Sequence, residues 1–462
     1  MTATSDTRGG GGPAAAGARP VDALVAEIGS TTTVVSAFDG LCEYPAATPC
    51  LVGQGVAATS VADGDVTLGV NAARARLEAA SGPLEPRLTL ATSSAAGGLR
   101  MTVHGLTQRM TAMAAREAAL GAGGVVEYVT AGRLRDHDLR EIDAVKPNLI
   151  LLAGGVEGGD CDTVLFNAGR LAELEARPIV VYAGNSVVCS DAEELLERAG
   201  FKVKLTNNVY PGIDELDIVP ARVVIHDAFE EHITHAPGME RIGEVVNGSI
   251  LPTPGAVLIA AERLADEVGD LVVVDVGGAT TDVHSITDGS PEIGALMIEP
   301  QPHSKRTVEG DLGTYVSAKH VVEMLAEQER PPYLPPPLPS TPEEVEAVLT
   351  LTHCAAVTGV QRHAGRLAHL YTPTGRHTVA RGRDLTACRL VIGTGGALTR
   401  LPGGEAVLAD TRAKSGGGER LLPPPDARVT LDRDYVFACC GALFAHFVGA
   451  AVLALMRASA GV

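Results

Sequence analysis

The sequence predicts an α/β protein of two lobes, each built around a mixed β-sheet. The first observation is that apolar, β-branched runs alternate with helical patterns along most of the 462 residues. The second is that three of these runs end in turns rich in glycine and small residues, spaced widely along the chain. The turns lie at residues 27–33, 275–282 and 393–397.

Short apolar runs bounded by turn residues predict strands, and longer patterns with a period near 3.6 residues predict helices. The predicted strands cover residues 23–28, 33–38, 88–91, 125–130, 149–152, 179–182, 203–205, 271–276, 279–286 and 390–392. The predicted helices cover residues 72–80, 106–121, 165–176, 192–199, 256–267, 315–329 and 342–351. Between 125 and 208 the strands and helices alternate regularly, which predicts a parallel βα block inserted into the first lobe.

The three glycine-rich turns are candidate phosphate sites. Glycine lets the backbone approach a ligand closely, and successive backbone N–H groups in such turns form concave anion sites. Hydroxyl side chains add donors in two of them, Ser30 and Thr31 in the first turn and Thr280 in the second. Two such hairpins from separate halves, with a third glycine turn, predict one nucleotide held between two lobes.

Composition excludes several other functions. The formal net charge of −19 argues against a nucleic-acid partner, because binding along a phosphate backbone needs clustered Lys and Arg. The eight cysteines contain no C-x-x-C spacing, so we expect no zinc ribbon. Dispersed thiols in a large chain fit a reducing compartment, which predicts a cytoplasmic location.

Both ends of the chain carry unusual composition. Residues 1–20 are rich in Gly, Ala and Pro and lack the apolar core of a signal peptide, which predicts a disordered tail. Residues 436–456 approach the length of a membrane span. His446 and many small residues interrupt that stretch, so we predict a buried helix and no membrane association.

Two segments of the second half are predicted to be loops. Residues 331–339 contain six prolines, which predicts a stiff polyproline spacer. Residues 414–419 have the composition of a flexible linker, and their position after the third glycine turn leaves open that they fold over a nucleotide. With these loops, the predicted limits are 21–255 for the first lobe, 256–433 for the second, and 434–462 for a C-terminal helix that returns to the first.

The three turns resemble the nucleotide-binding motifs of the superfamily that contains acetate kinase, sugar kinases, heat-shock-70 chaperones and actin. Its first phosphate loop is matched by residues 27–31, its second by residues 275–282, and its adenosine motif by residues 393–397. The resemblance implies an actin-like ATPase fold with ribonuclease-H-like lobes. It also implies that ATP and Mg²⁺ are bound in the cleft between the lobes.

The same resemblance implies roles for individual residues. The implied nucleotide-binding residues are Glu27, Gly29, Ser30, Thr31, Thr32, Gly277, Gly278, Thr280, Gly393, Gly395 and Gly396. Among them, the residues implied to hold the β- and γ-phosphates are Ser30, Thr31, Gly278 and Thr280. Glu27, Asp275 and Asp282 are implied to hold Mg²⁺ through water, and the two aspartates are also candidate catalytic residues.

Two positions depart from the superfamily pattern. The first phosphate loop begins with Glu27 instead of an aspartate, and the extra methylene shifts the carboxylate by about 1.5 Å. Mg²⁺ is demanding about such geometry. Leu251 stands where the chaperone branch has an acid, so we take Glu309 and Asp311 as candidate catalytic acids that orient the attacking water. The alternative is that both are ordinary turn residues.

Four further stretches resemble the GlmL family, also called MutL, of accessory proteins for adenosylcobalamin-dependent glutamate (methylaspartate) mutase. They are residues 91–101, 148–159, 208–214 and 307–313, and the resemblance extends over roughly residues 21–460. It implies a chaperone-like, ATP-binding protein that reactivates the mutase and has the mutase subunits as partners. It implies no tightly bound cobalamin in this chain.

Several interpretations stay open from the sequence. A small-molecule kinase has the same fold but needs an acceptor site and a general base, and a non-hydrolysing nucleotide-binding scaffold needs neither. His226, His232 and His235 fall within ten residues, which is compatible with a metal site or with a solvated helix that contacts a partner. The sequence makes no prediction of the oligomeric state.

Overall fold

The computed structural model describes residues 17–95, 99–372, 375–414 and 418–462. The strands are β1 Arg19–Ile28, β2 Thr32–Asp39, β3 Cys50–Ala58, β4 Leu84–Ser93, β5 Arg100–Gly105, β6 Val125–Ala131, β7 Leu149–Leu152, β8 Ile179–Tyr182, β9 Val203–Leu205, β10 Ile250–Pro252, β11 Leu271–Val276, β12 Thr281–Ile286, β13 Ser304–Glu309, β14 Arg366–Thr372, β15 Gly375–Arg381, β16 Leu390–Thr394 and β17 Arg428–Leu431.

The helices connect and cover these strands. They are α1 Val66–Ser81, α2 Thr111–Gly121, α3 Asp136–Val145, α4 Asp162–Leu171, α5 Cys189–Arg198, α6 Val219–Ile233, α7 Thr253–Val268, α8 Pro291–Gly294, α9 Ala318–Met324, α10 Pro342–His363, α11 Gly396–Thr399, α12 Gly404–Ala409, α13 Phe437–Leu443 and α14 Gly449–Ala460.

The two lobes contain sheets of the same topology. The first lobe has the strand order β3-β2-β1-β4-β10, in which β1 is antiparallel to β2 and parallel to β4. The second has the order β13-β12-β11-β16-β17, in which β11 is antiparallel to β12 and parallel to β16. The structure therefore confirms the predicted two-lobed α/β fold, and each lobe presents a β-hairpin at the same place in its sheet.

A third, fully parallel sheet is inserted into the first lobe, with the order β6-β5-β7-β8-β9. It begins with β5, so the block starts earlier than the predicted residue 125. The sequence did not predict this strand because polar residues, Arg100, Thr102 and His104, occupy three of its six positions. His104 is buried there, and its ring hydrogen-bonds the hydroxyls of Thr130 and Thr102 at 2.8 and 3.0 Å.

Several helix predictions were wrong in extent, among them those at 315–329 and 342–351. The predicted helix at 315–329 is reduced to α9, after which Leu325 is extended. The predicted helix at 342–351 continues to His363 in α10. Thr352, just beyond the predicted end, is buried, and its hydroxyl donates to the Val348 carbonyl at 2.7 Å, within the helix.

The core between the lobes is formed by α7 and the C-terminal helices. Buried residues of β1, β4, α7, β11 and α13 make one hydrophobic cluster. The stretch at 436–456, predicted as one buried helix, is divided between α13 and α14. In the described part of the chain, no helix has the length and apolar character needed to cross a membrane.

The predicted N-terminal tail lies mostly outside the described residues, as does part of the 414–419 loop. The tail prediction was wrong at its end, because Arg19 and Pro20 already belong to β1 and pair with Leu84 and Glu85 of β4.

Candidate nucleotide-binding site

The two lobes carry matching glycine hairpins that meet. In the first, the Gly29 N–H donates to the Thr32 carbonyl at 2.9 Å, and in the second the Gly277 N–H donates to the Thr280 carbonyl at 2.9 Å. A Cβ placed on Gly278 would lie 3.4 Å from Oγ1 of Thr31, so the second hairpin directly faces the first. Hydroxyl and backbone groups of both lobes are therefore in reach of one ligand.

Between the hairpins lies a cavity of about 430 Å³, within the range of small-molecule sites. It brings together most of the residues proposed from the sequence. Those that line it are Glu27, Gly29, Ser30, Thr31, Thr32, Asp275, Gly277, Gly278, Thr280, Asp282, Gly395 and Gly396.

The third glycine turn packs directly on the second hairpin's strand. Gly395 has a φ of +86°, and a Cβ there would lie 2.4 Å from the Val276 carbonyl oxygen and 2.5 Å from Oδ1 of Asp275. Only glycine accommodates both the left-handed backbone and this close approach. Gly396 is the N-terminal residue of α11 and lines the cavity.

Gly393 does not reach the cavity, which corrects its proposed role as a nucleotide contact. It lies inside β16, where a Cβ would meet the side chains of Leu408 at 2.6 Å, Leu431 at 2.9 Å and Leu398 at 3.2 Å. This glycine is explained by packing of α11 and α12 on the sheet.

Glu309 and Asp311 also lie outside the cavity lining, contrary to their proposed role in orienting water. Both carboxylates bind the same guanidinium: Arg362 of α10 donates to Glu309 at 2.8 Å and to Asp311 at 2.7 and 2.9 Å. The Arg362 hydrogen bonds lower the pKa of Asp311. The pair therefore ties the end of β13 to α10, in agreement with the alternative interpretation of these acids as turn residues.

Glu27 is buried at the end of β1, where it lines the cavity. Burial raises its pKa from 4.5 to about 7, against a hydrogen bond from the Tyr435 hydroxyl, at 2.5 Å, that lowers it. The guanidinium of Arg400 lies 5.2 Å from the centre of the Tyr435 ring. Glu27 is consequently held by a neutral donor, the Tyr435 hydroxyl, and the nearby charge of Arg400 lowers its pKa only in part.

Asp275 lies at the matching position of β11. Burial raises its pKa well above the usual range, and the charges of Asp282, Glu27 and Asp432 raise it further. Carboxylates gathered in this way favour a cation between them, since a nearby positive charge stabilises their ionised forms. Glu27, Asp275 and Asp282 all line the cavity, but no group of three such residues in the described part of the chain is placed to hold a metal ion directly, so contact with Mg²⁺ would pass through water.

Asp282 differs from the other two acids because it has a permanent partner. Arg306, a β13 residue whose side chain is 1% exposed, donates to Oδ1 of Asp282 through Nε at 2.8 Å and a terminal nitrogen at 2.5 Å. The same guanidinium donates to the carbonyls of Leu120 and Gly124, at 2.9 and 3.0 Å, in the inserted block. The Thr280 hydroxyl donates to the other Asp282 oxygen at 3.1 Å.

Several lining residues were missed from the sequence. They are Arg76, Thr253, Thr314, Tyr315, Val348, Arg400, Leu401, Tyr435 and the proline-rich residues 336–339. The buried Thr253 hydroxyl has no hydrogen-bond partner among the described residues, so it is available to a ligand or to water. Residues 331–339, predicted as a spacer, thus form part of the cavity wall. Of these, Arg400 carried a signal that the sequence contained, because it is a cation three residues after the third glycine turn, whereas Arg76 lies within α1, far from any of the turns in sequence.

The histidine group does not assemble into a metal site. His226 is buried, and its Nε2 lies 2.9 Å from the position of a Cβ on Gly255. The His235 ring nitrogen donates to the Glu231 carbonyl at 2.9 Å. Among the described residues no group of three His, Cys, Asp or Glu is placed to hold a metal.

Comparison with known proteins identifies a family and a relative that match most of the chain. The family model "MutL protein" matches residues 23–459. Protein MutL of Clostridium tetanomorphum is 34% identical over 455 residues, which cover 91% of this chain and 95% of that protein.

Solved structures give only remote likenesses. Nucleotide-free acetone carboxylase, 13% identical, is matched over 91% of this chain and 70% of its own with a TM-score of 0.35. Component A of (R)-2-hydroxyglutaryl-CoA dehydratase from Acidaminococcus fermentans, 10% identical, is matched over 95% and 98% with a TM-score of 0.29. These TM-scores are too low to support an argument.

Proposed function

The chain belongs to the MutL family, and from that premise we propose that it is an ATP-binding accessory protein of an adenosylcobalamin-dependent glutamate (methylaspartate) mutase. The observation that carries the nucleotide part is the meeting of the two glycine hairpins across one cavity, with Thr31 3.4 Å from the Cβ position of Gly278. The mutase part rests on the family resemblance.

Different residues around the cavity would bind different parts of the nucleotide. Ser30, Thr31, Gly278 and Thr280 would hold the β- and γ-phosphates, and the turn containing Gly395 would back the nucleoside. Glu27, Asp275 and Asp282 would hold Mg²⁺ through water. The ion would neutralise charge on the phosphates. ATP hydrolysis is part of this proposal, with the water-orienting group unassigned because Glu309 and Asp311 lie outside the lining.

The nucleotide would act through the relative position of the lobes. A nucleotide can control binding to the mutase only if the ATP-bound and ADP-bound states of this protein have different affinities for the mutase. A tenfold difference corresponds to about 1.4 kcal/mol. Arg306 supports such a link, since it joins Asp282 in the cavity to carbonyls of the inserted block, which is the part of the chain additional to the two ATPase lobes.

Nucleotide binding is tested by calorimetry with ATP and Mg²⁺ on Gly278→Val. The valine methyl groups would occupy the space where the two hairpins meet, so binding should be lost while the fold is retained. Gly310→Val is the matched control, because a Cβ there meets nothing within 4 Å. Equal affinity of a folded Gly278→Val and the unmodified protein would refute the assignment.

Reactivation is tested by following the release of inactivated cobalamin from the mutase spectroscopically, with ATP, ADP or no nucleotide. The unmodified protein should release it faster with ATP, and Gly278→Val should not. Equal release under all three conditions, and by both proteins, would remove the reactivation function. A kinase or a non-hydrolysing scaffold would then be the remaining functions of this cavity.

A further inference from the structure

Besides its acids and hydroxyls, the cavity lining contains apolar residues of both lobes, with Val34 and Val56 from the first. We call seven of the second-lobe residues the apolar wall. They are Val348 of α10, Ala397 and Leu401 beside the third glycine turn, and Pro336, Pro337, Leu338 and Pro339. We call residues 331–339, which contain the last four, the proline strap.

Hydrogen bonds hold the residues on both sides of the strap, and its prolines restrict the backbone between them. Before it, Arg330 donates to the Leu325 carbonyl at 3.1 Å. After it, the Ser340 N–H donates to the Glu344 carboxylate at 2.7 Å, in the capping box that begins α10. No backbone hydrogen bond joins residues 331–339 to another described residue. Its six prolines keep the segment extended, because each restricts φ.

This wall matches the part of a nucleotide that the hairpins leave unbound. Phosphates require the N–H and hydroxyl groups of the hairpins, whereas a nucleobase has flat apolar faces and a polar edge. We propose that the proline strap forms one wall of the nucleobase pocket and selects adenine over guanine. This inference rests on the nucleotide-binding function proposed above and specifies which nucleotide is bound.

The selection follows from what a proline backbone lacks. Pro336, Pro337 and Pro339 have carbonyl acceptors but no N–H, so among the four lining residues only Leu338 has an N–H donor. Adenine presents an amino donor at C6, where guanine presents the O6 acceptor. A strap carbonyl opposite C6 of the base would accept from the adenine amino group but would leave guanine O6 unpaired, since the guanine N–H donors lie elsewhere on its edge. An unpaired acceptor costs roughly ten- to hundredfold in affinity.

The test compares ATP, GTP and inorganic tripolyphosphate binding by calorimetry. The unmodified chain should bind ATP roughly tenfold or more tighter than GTP. The double variant Pro336→Ala, Pro337→Ala adds two N–H donors and removes two ring faces, so this preference should fall towards one. Tripolyphosphate, which has no base, should bind both proteins equally. Pro331→Ala, Pro332→Ala is the matched control, since both residues lie in the strap but neither lines the cavity.

A second variant, Leu338→Ala, tests the strap if the double proline variant does not fold. Leu338 is 56% exposed, so Leu338→Ala should leave stability unchanged and weaken ATP without affecting tripolyphosphate. An unchanged ATP-to-GTP ratio in the double variant, or an equal loss of tripolyphosphate, would overturn the strap's role. Failure of the unmodified chain to bind either ATP or tripolyphosphate would instead overturn the proposed nucleotide function, and the strap's role with it.

Discussion

The two glycine hairpins have the same backbone but different electrostatic surroundings. Each ends with the same Gly N–H to Thr carbonyl bond of 2.9 Å and follows an acid-bearing strand. In the first lobe, Glu27 is held by a neutral hydroxyl, and burial raises its pKa to about 7. In the second, Asp282 is paired with the buried cation Arg306. The repeated topology therefore places Glu27 and Asp275 at matching strand ends, whereas Asp282 and its cation have no counterpart in the first lobe, where Val34 occupies the equivalent position.

The difference matters for how the lobes would respond to a ligand. The first hairpin carries a carboxyl group that gains or loses a proton near neutral pH. The second carries the Asp282 carboxylate, which is bound by Arg306. The same guanidinium donates to carbonyls of the inserted block and so connects the hairpin to that block. The first is thus suited to respond to a bound cation, and the second to transmit lobe position.

The largest effect is expected from breaking the second hairpin's ion pair. Arg306→Met leaves Asp282 buried without its cation, so the free energy of unfolding should fall by about 3–5 kcal/mol. Denaturant unfolding measures this loss. Arg362→Met is the control, because Arg362 also pairs with two acids but its side chain is 38% exposed, and its removal should cost at most about 1 kcal/mol. Similar losses in both variants would contradict the distinction.

A smaller effect is expected from the first hairpin's acid. The pKa of Glu27 is about 7 in the folded protein against 4.5 for the ordinary group, so between these values the folded state binds the extra proton. The stability from this proton is fully present below pH 4.5 and is lost as the pH rises through about 7. The loss amounts to at most about 3 kcal/mol.

Glu27→Gln should remove the part of the pH-dependent loss of stability that is due to Glu27. The difference in unfolding free energy between pH 5 and pH 8 should therefore be smaller in this variant than in the unmodified protein. Unfolding free energies at pH 5, 6, 7 and 8 provide the measurement. Glu85→Gln, which alters an exposed acid of β4, should keep the original slope. Part of the decline should persist in Glu27→Gln, because burial raises the pKa of Asp275 in the same direction. Identical slopes in the two variants would refute the role of Glu27.

The smallest effect is expected at Tyr435. Tyr435→Phe removes the hydrogen bond that stabilises the ionised Glu27, which should cost about 1 kcal/mol at pH 8. It should also move the Glu27 transition to higher pH, because that bond lowers the pKa. Tyr371→Phe, at a residue that is 76% exposed, is the control. A transition that stays in place or moves to lower pH would show that Tyr435 does not tune Glu27.

Local patterns predicted the parts of the site that depend on backbone conformation. The strand–glycine–hydroxyl sequences predicted turns where the structure has both hairpins. Gly395, in the turn after β16, lines the cavity, and its role as a nucleotide contact stays a prediction. Gly393, two residues earlier, was assigned wrongly. Both are glycines next to the same turn, and only the position of Leu408 and Leu431 against Gly393 distinguishes packing from ligand contact.

The sequence by itself determined the two-lobed α/β class, the order of the three turns and the acids at the two strand ends. These follow from strand periodicity and from the conformations that glycine alone permits, which are properties of neighbouring residues. Only the tertiary structure decided the partners of those acids. Tyr435 lies 408 residues from Glu27 along the chain, and Arg306 lies on a separate strand from Asp282. Burial and charge act through space, so a residue's pKa and ion pairs depend on neighbours that folding alone brings together.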